Sequence, residues 1–151
     1  MSIRIEQFAE RHIADAARLE RECFAAPWSE QALREELDNP NALFLAAVDG
    51  TETVGYLGCH LILDEGYIAN VAVSPVRRKE GIGSALVGAL VEQAEQQGAS
   101  FLTLEVRVSN QPAIALYQKF GFRPVGTRRG FYDKPKEDAL LMTLQRKEEQ
   151  A

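Results

Sequence analysis

Cysteine and histidine are scarce, at two residues each in 151. Cys23 and Cys59 lack the spacing of a metal site, so no metal is expected, and a Cys–His nucleophile has little support. Two reduced thiols in a cytosolic protein are the expectation instead. No apolar run is long enough to span a bilayer, and the opening MSIRIEQFAE lacks the apolar core of a signal peptide. That points to a cytoplasmic protein with no membrane partner. A basic excess is missing as well. The net charge is −5, whereas a non-specific nucleic-acid binder carries a basic surface, so no nucleic-acid partner is expected. Internal repeats and low-complexity segments are absent.

The material that is present suits a single domain over residues 1–151. Hydrophobic residues make up 46% and charged residues 26%, close to ordinary globular composition and enough for a core. The Lys/Glu/Gln-rich end, residues 146–151, reads as a frayed tail.

Hydrophobic period and turn chemistry place the elements. Ser2 to Glu6 reads as a short strand. Ile13, Ala16, Leu19 and Cys23 recur at helical spacing. Ser29 suits a helix N-cap, with Trp28 before it and Leu33 beyond it as a hydrophobic staple. Strands are expected at Leu43 to Val48, Thr53 to Leu63 and Tyr67 to Val73, with Asp49-Gly50 turning the first hairpin. A long helix follows, with Ile82, Ala85, Leu86, Ala89 and Leu90 on one face and Gly98 at its stop. Phe101 to Val106 is a further strand. Asn110 opens a shorter helix ending near Phe120 and Gly121. Phe122 to Thr127 and Ala139 to Leu144 close the chain as strands. The class is α/β, a mixed central sheet of about seven strands with four helices.

Gly81 and Gly83 follow a strand and open the long helix. The first N–H groups of a helix lack intrahelical partners and carry partial positive charge. Glycines let a pyrophosphate approach that backbone. Arg77, Arg78 and Lys79 add cationic donors, and Ser84 adds a hydroxyl. The spacing is neither a Walker loop nor G-x-G-x-x-G, since position 86 is Leu. On the residues alone, a phosphate cradle and a tight turn beside a solvated basic cluster both stand. Glu80 places a carboxylate inside the loop, harmless if it points outward and weakening if it points at phosphate.

Glu105 sits in a strand whose alternate positions, Leu102, Leu104 and Val106, are apolar. Glu is depleted in strands. A solvated residue on an open sheet face, or a partner for Arg107, is the ordinary reading. Tyr117 lies two turns into the Asn110 helix beside Ile114 and Phe120, where a plain core aromatic is the ordinary reading.

The segment Asn70-Val71-Ala72-Val73-Ser74-Pro75 through Arg78-Lys79-Glu80-Gly81-Ile82-Gly83 resembles the cofactor motif of the GNAT superfamily of N-acetyltransferases: a strand, then Arg-x-x-Gly-x-Gly. The element order matches that fold across nearly the whole chain. Leu104-Glu105-Val106-Arg107-Val108-Ser109-Asn110, Ala113-Ile114-Ala115-Leu116-Tyr117 and Gly121-Phe122 are similar to the signature of its RimI-like branch, the ribosomal-protein-alanine N-acetyltransferases. So are Pro27-Trp28-Ser29-Glu30, Arg128-Arg129 with Tyr132, and Glu137-Asp138-Ala139. The resemblance implies acetyl-CoA as cosubstrate. Val71, Ala72 and Val73 would hold the pantetheine arm, and Lys79, Glu80, Gly81, Ile82, Gly83 and Ser84, with Arg78, the pyrophosphate. Asn110 would contact the cofactor, Glu105 accept a proton, and Tyr117 donate one to the departing thiolate. Trp28, Glu30, Tyr132 and Asp138 would line the groove for an N-terminal peptide of a ribosomal or other cytosolic protein. Two rival readings stand: an acetyltransferase of lysine or small-molecule amines, and a CoA-binding module without turnover.

Overall fold

The computed structural model describes residues 3–146, so Ser2 and the tail from residue 147 onward lie outside the described residues. β1 (Ile3–Gln7) leads through the 3-10 turn Glu10–His12 into α1 (Ile13–Cys23) and α2 (Glu30–Glu36). β2 (Ala42–Asp49), β3 (Glu52–Ile62) and β4 (Glu65–Val73) form a meander. α3 (Ile82–Gln96) crosses to β5 (Phe101–Arg107), and α4 (Gln111–Lys119) leads to a hairpin of β6 (Arg123–Tyr132) and β7 (Glu137–Gln145). The seven strands make one sheet in the order β1-β2-β3-β4-β5-β7-β6. Every neighbouring pair is antiparallel except β4 and β5.

Strand alternation divides the core between the two faces of this sheet. Along β2, Leu43, Leu45 and Ala47 join the cluster under α3 and α4, which also holds Leu57, Leu90, Leu104 and Met142. Phe44, Ala46 and Val48 join the opposite cluster, with Ile13, Leu19 and Leu33 of the first two helices and Tyr56 of β3. Ser29 caps α2 as expected, its hydroxyl accepting the Ala32 N–H at 3.1 Å. Trp28 and Leu33 lie in one apolar cluster, which fits the staple.

Details of α3 and of the last hairpin differ from the sequence reading. The buried stripe of α3 is Ile82, Leu86, Val87, Leu90 and Ala94, while Ala85 is exposed. Val87 has more apolar area to hide than Ala85, and the helix turns that side to the sheet. β6 runs to Tyr132 rather than Thr127, and β7 starts at Glu137 rather than Ala139. β6 is an edge strand with one flank in solvent, so polar Arg128 and Arg129 fit it without the alternation that marks a half-buried strand.

One irregularity shapes the centre of the sheet. Ile68 pairs with Cys59 and Asn70 with Gly58, which makes Ala69 an extra residue on β4. Such a bulge bends its strand. The parallel ladder between β4 and β5 stops at the Ile68–Leu104 pair, although β4 continues to Val73 and β5 to Arg107. Beyond that pair the two middle strands part.

Candidate active site

The parting leaves the last residues of β4, including Val71, Ala72 and Val73, with no ladder partner on the β5 side. An extended molecule bearing amide groups can pair there as a strand does. Ala72 is fully buried toward α1, while Val71 and Val73 pack toward α3.

The chain then passes Pro75–Arg77 and reaches α3 through two left-handed residues, Lys79 (φ +70°) and Gly81 (φ +83°). Gly81 is the N-cap and no side chain caps this end, so the first amides of α3 are open to an incoming anion. The two glycines have different tasks. Gly81 has free space where a Cβ would stand and is needed for its backbone angle. Gly83 has an ordinary angle, but a Cβ there would lie 3.2 Å from Leu116 Cδ2 of α4, so it serves helix packing. Glu80 is turned onto Arg77, at 3.0 Å, and Arg77 also reaches Asp49 at 2.9 Å. This corrects the expectation that Arg77 supplies a donor to phosphate: two carboxylates hold it. Exposed Arg78 and Lys79 remain as cations of the loop. Arg78 Nη2 lies 3.6 Å from Cys23 Sγ, whose thiol in turn lies 3.4 Å from the Val73 carbonyl. Lys119 of α4 donates to Ser84 Oγ at 3.2 Å and brings a further positive charge to the same helix end.

Glu105 lies on β5 one residue past the last β4–β5 pair, on the face opposite Leu104 and Val106. Its side chain is only 8% exposed, with Arg128 Nε 3.6 Å from Oε2. Tyr67 faces it: burial first, then the Glu105 carboxylate, pushes that phenol up to about 12. The Tyr132 phenol is also raised, by burial first and then by the charge of Glu105. Glu105 is thus neither solvated nor paired with Arg107. Arg107 instead binds Glu137 at 3.2 Å and the carbonyls of Pro135 and Asp133, and its guanidinium stands 4.4 Å from the Tyr132 ring centre.

Tyr117 approaches from the other side of the sheet, in the α3–α4 cluster beside Phe122 (ring centres 5.7 Å apart). It is 7% exposed, and burial, followed by Tyr132, raises its phenol above the ordinary value. Among the described residues its hydroxyl has no hydrogen-bond partner. Asn110 caps α4, Oδ1 accepting the Ala113 N–H at 3.2 Å, which leaves its NH2 group available. A carboxylate from one face and a protonated phenol from the other therefore flank the opened sheet. That arrangement can remove a proton on one side of a bound thioester and supply one on the other.

The four residues expected in the acceptor groove divide. Trp28 is half-buried against Phe44, ring centres 6.3 Å apart, and Tyr132 stands over Arg107 near Glu105. Glu30 is exposed and lies 3.9 Å from Arg34 in its own helix. The Asp138 carboxylate accepts the Gly130 N–H at 2.8 Å inside the β6–β7 hairpin, so it shapes that hairpin. Cys59 and His60 are neighbours in β3, yet alternation sends the thiol into the core and the imidazole to Glu36 at 2.6 Å. Both cysteines are free.

Sequence reasoning missed Tyr67, Lys119 and Glu20. Tyr67 reads as an ordinary strand aromatic, and Lys119 as a helix-end cation. Glu20 had a signal: it falls four residues after Ala16 and seven after Ile13, on the apolar face of α1.

A sheet opened between two parallel strands, with an uncapped helix end beyond the opening, defines an α/β protein that binds a phosphorylated, amide-bearing cofactor. The profile of the Acetyltransferase (GNAT) family matches residues 13–122. The chain belongs to that family, the acetyl-CoA-dependent N-acetyltransferases. The [ribosomal protein bS18]-alanine N-acetyltransferase of Escherichia coli (strain K12) is 34% identical over 131 residues, 85% of this chain and 88% of that one. A Bacillus subtilis (strain 168) protein, provisionally given the same name, is 38% identical over 125 residues, 82% of this chain and 83% of that one. The crystal structure of the ribosomal-protein-S18-alanine N-acetyltransferase from E. coli superposes with a TM-score of 0.88 at 31% identity, covering 95% and 94% of the two chains. No described helix is long and apolar enough to cross a membrane.

Proposed function

We propose that this protein is a single-domain cytoplasmic enzyme that moves the acetyl group of acetyl-CoA to the α-amine of an N-terminal alanine, on a small-subunit ribosomal protein. The observation that carries the reading is Glu105: a nearly buried carboxylate just past the point where β4 and β5 part, ringed by Tyr67, Tyr132 and Arg128. The 34% identity to the E. coli bS18-alanine enzyme supports the choice of acceptor.

The chemistry follows from protonation. An ammonium has no lone pair, so a proton leaves before attack. A free α-amine titrates near ~8, so roughly a tenth is neutral at pH 7, against under about a thousandth for a lysine amine at ~10.4. One carboxylate, Glu105, suffices to draw off the proton of an α-amine, directly or through water. The amine forms the new C–N bond, the C–S bond breaks, the Tyr117 hydroxyl protonates the leaving thiolate, and the second proton shed by the nitrogen restores the Tyr117 hydroxyl through water. Direct transfer in a ternary complex needs no enzyme nucleophile. Backbone groups of Val71 to Val73 pair with the pantetheine arm. Arg78, Lys79, the amides from Gly81 to Ser84 and Lys119 face the pyrophosphate. The Asn110 NH2 is a further donor to the cofactor. Trp28 and Tyr132 stand on either side of the acceptor entrance.

The test is twofold. Purified enzyme is offered peptides beginning with Ala, Met or Ser, together with polyamines and a lysine-bearing blocked peptide. N-terminal acetylation across the proteome is then compared by mass spectrometry with and without the gene. Preferential acetylation of Ala-initiated peptides, and loss of one ribosomal N-acetyl group, are expected. Transfer to polyamines or lysine alone would overturn the reading.

A further inference from the structure

α1 packs its apolar face on the sheet, and Glu20 lies in the middle of that face, fully buried. Its carboxylate is held by three donors. Oε1 accepts the Trp28 backbone N–H at 2.8 Å. Oε2 accepts the Asn70 side-chain amide at 2.8 Å and the Tyr56 hydroxyl. Asn70 also donates to the Tyr56 oxygen at 3.1 Å. None of these donors is a cation. A buried carboxylate without a cationic partner is costly to hold, and a leucine would fill the same place in an apolar core more favourably.

The origin of the donors suggests what the carboxylate does. Trp28 belongs to the segment between α1 and α2, on the acceptor side. Asn70 sits between the bulge residue Ala69 and Val71, at the start of the unpaired stretch of β4. Tyr56 comes from β3, which pairs with β4. One side chain therefore ties the acceptor wall to the strand that faces the cofactor, across sequence separations of 8 and 50 residues. We propose that Glu20 is a positioning residue that couples the two sites, so that acetyl-CoA or CoA, by fixing the open part of β4, also fixes the Trp28 segment and tightens acceptor binding.

This inference rests on the N-terminal acetyltransferase reading. The experiment is calorimetric binding of an Ala-initiated peptide with and without CoA. It is run on the wild type, Glu20→Gln, Asn70→Ala and Tyr56→Phe, with steady-state kinetics alongside. In the wild type, CoA should tighten the peptide about tenfold, an ordinary size for coupling between sites. Glu20→Gln should reduce that factor below about threefold and raise the peptide KM, while kcat and the Kd for CoA alone stay within about twofold. Tyr56→Phe keeps the Trp28 and Asn70 bonds and should keep the coupling. Asn70→Ala cuts only the strand arm and should lose it, which tests the idea even if Glu20→Gln does not fold. Wild-type coupling in Asn70→Ala, or no effect of CoA on peptide binding in the wild type, would overturn the inference. So would a Glu20→Gln enzyme changed only in melting temperature. Failure to acetylate any N-terminal peptide would instead strike at the proposed function itself.

Discussion

Glu105 has Arg128 beside one oxygen and two raised phenols around it. Replacing it with Gln keeps the volume and removes the basic site. A positioned base contributes about 10²–10⁴ in rate, so Glu105→Gln should lower kcat at least about a hundredfold in steady state, with acetyl-CoA binding by calorimetry unchanged. Tyr117 is raised by burial, and the sign matters: a phenol with an elevated pKa stays protonated through neutral and mildly alkaline pH. The acid form is therefore present at the pH, near ~8, where an α-amine becomes neutral. Tyr117→Phe should slow single-turnover transfer, and the wild-type alkaline limb should show no loss of activity from Tyr117 below about pH 9. Glu6 gives a residue-scale prediction about stability. Arg11 first, then the buried His12, holds its carboxyl down from 4.5 to about 2. A depressed folded-state pKa contributes stability that is present above the unfolded value and lost as pH falls through the folded one. Melting temperature should fall between pH 4.5 and about 2, and Glu6→Gln should flatten that slope in a pH series of thermal melts.

Among the elements, the cofactor loop shows why spacing alone is ambiguous. Gly81 and Gly83 look alike in sequence, yet one supplies a left-handed angle and the other lets α3 approach α4. Gly81→Ala forces a left-handed alanine, at a cost of about 1–2 kcal/mol. It should weaken acetyl-CoA binding through the displaced amides. Gly83→Ala brings a Cβ to 3.2 Å from Leu116 Cδ2, so its effect on melting temperature should be non-additive with that of Leu116→Ala in the double variant. Most elements are legible from hydrophobic period, the Ser29 and Asn110 caps and the glycine stops. The stripe of α3 differs by one position because Ala85 and Val87 are both apolar, and only contact with the sheet decides between them. The β6 edge is longer than its pattern suggests because an edge strand carries arginines freely. In the site, Glu105 and Tyr117 emerge through family likeness, since their own periodicity reads as an open sheet face and a core aromatic. Glu80 lies only three residues from Arg77, but the Asp49 contact spans 28 residues and no local pattern encodes it.

For the molecule as a whole, chain order and sheet order agree except where β7 enters between β5 and β6, and α3 makes the crossover from β4 to β5. The crossover produces the one parallel pair, and that pair is where the sheet opens. Both clusters of the core remain continuous around the opening, so the fold can spare the missing ladder bonds there.

Ala69 has a consequence for the balance between durability and work. Side chains of β4 already face the correct sides on either flank of the bulge: Ile68 toward α3, Asn70 and Ala72 toward α1. Removing Ala69 would restore one-to-one pairing with β3 and leave that alternation intact. A straightened β4 could then run on beside β5, adding backbone bonds where there are now none. The shortened protein should melt no lower than the parent, and should have lost measurable affinity for acetyl-CoA, by thermal melts and calorimetry on the same sample. A large drop in melting temperature with binding retained would contradict this. One alanine then keeps the sheet imperfect at the place proposed for the cofactor.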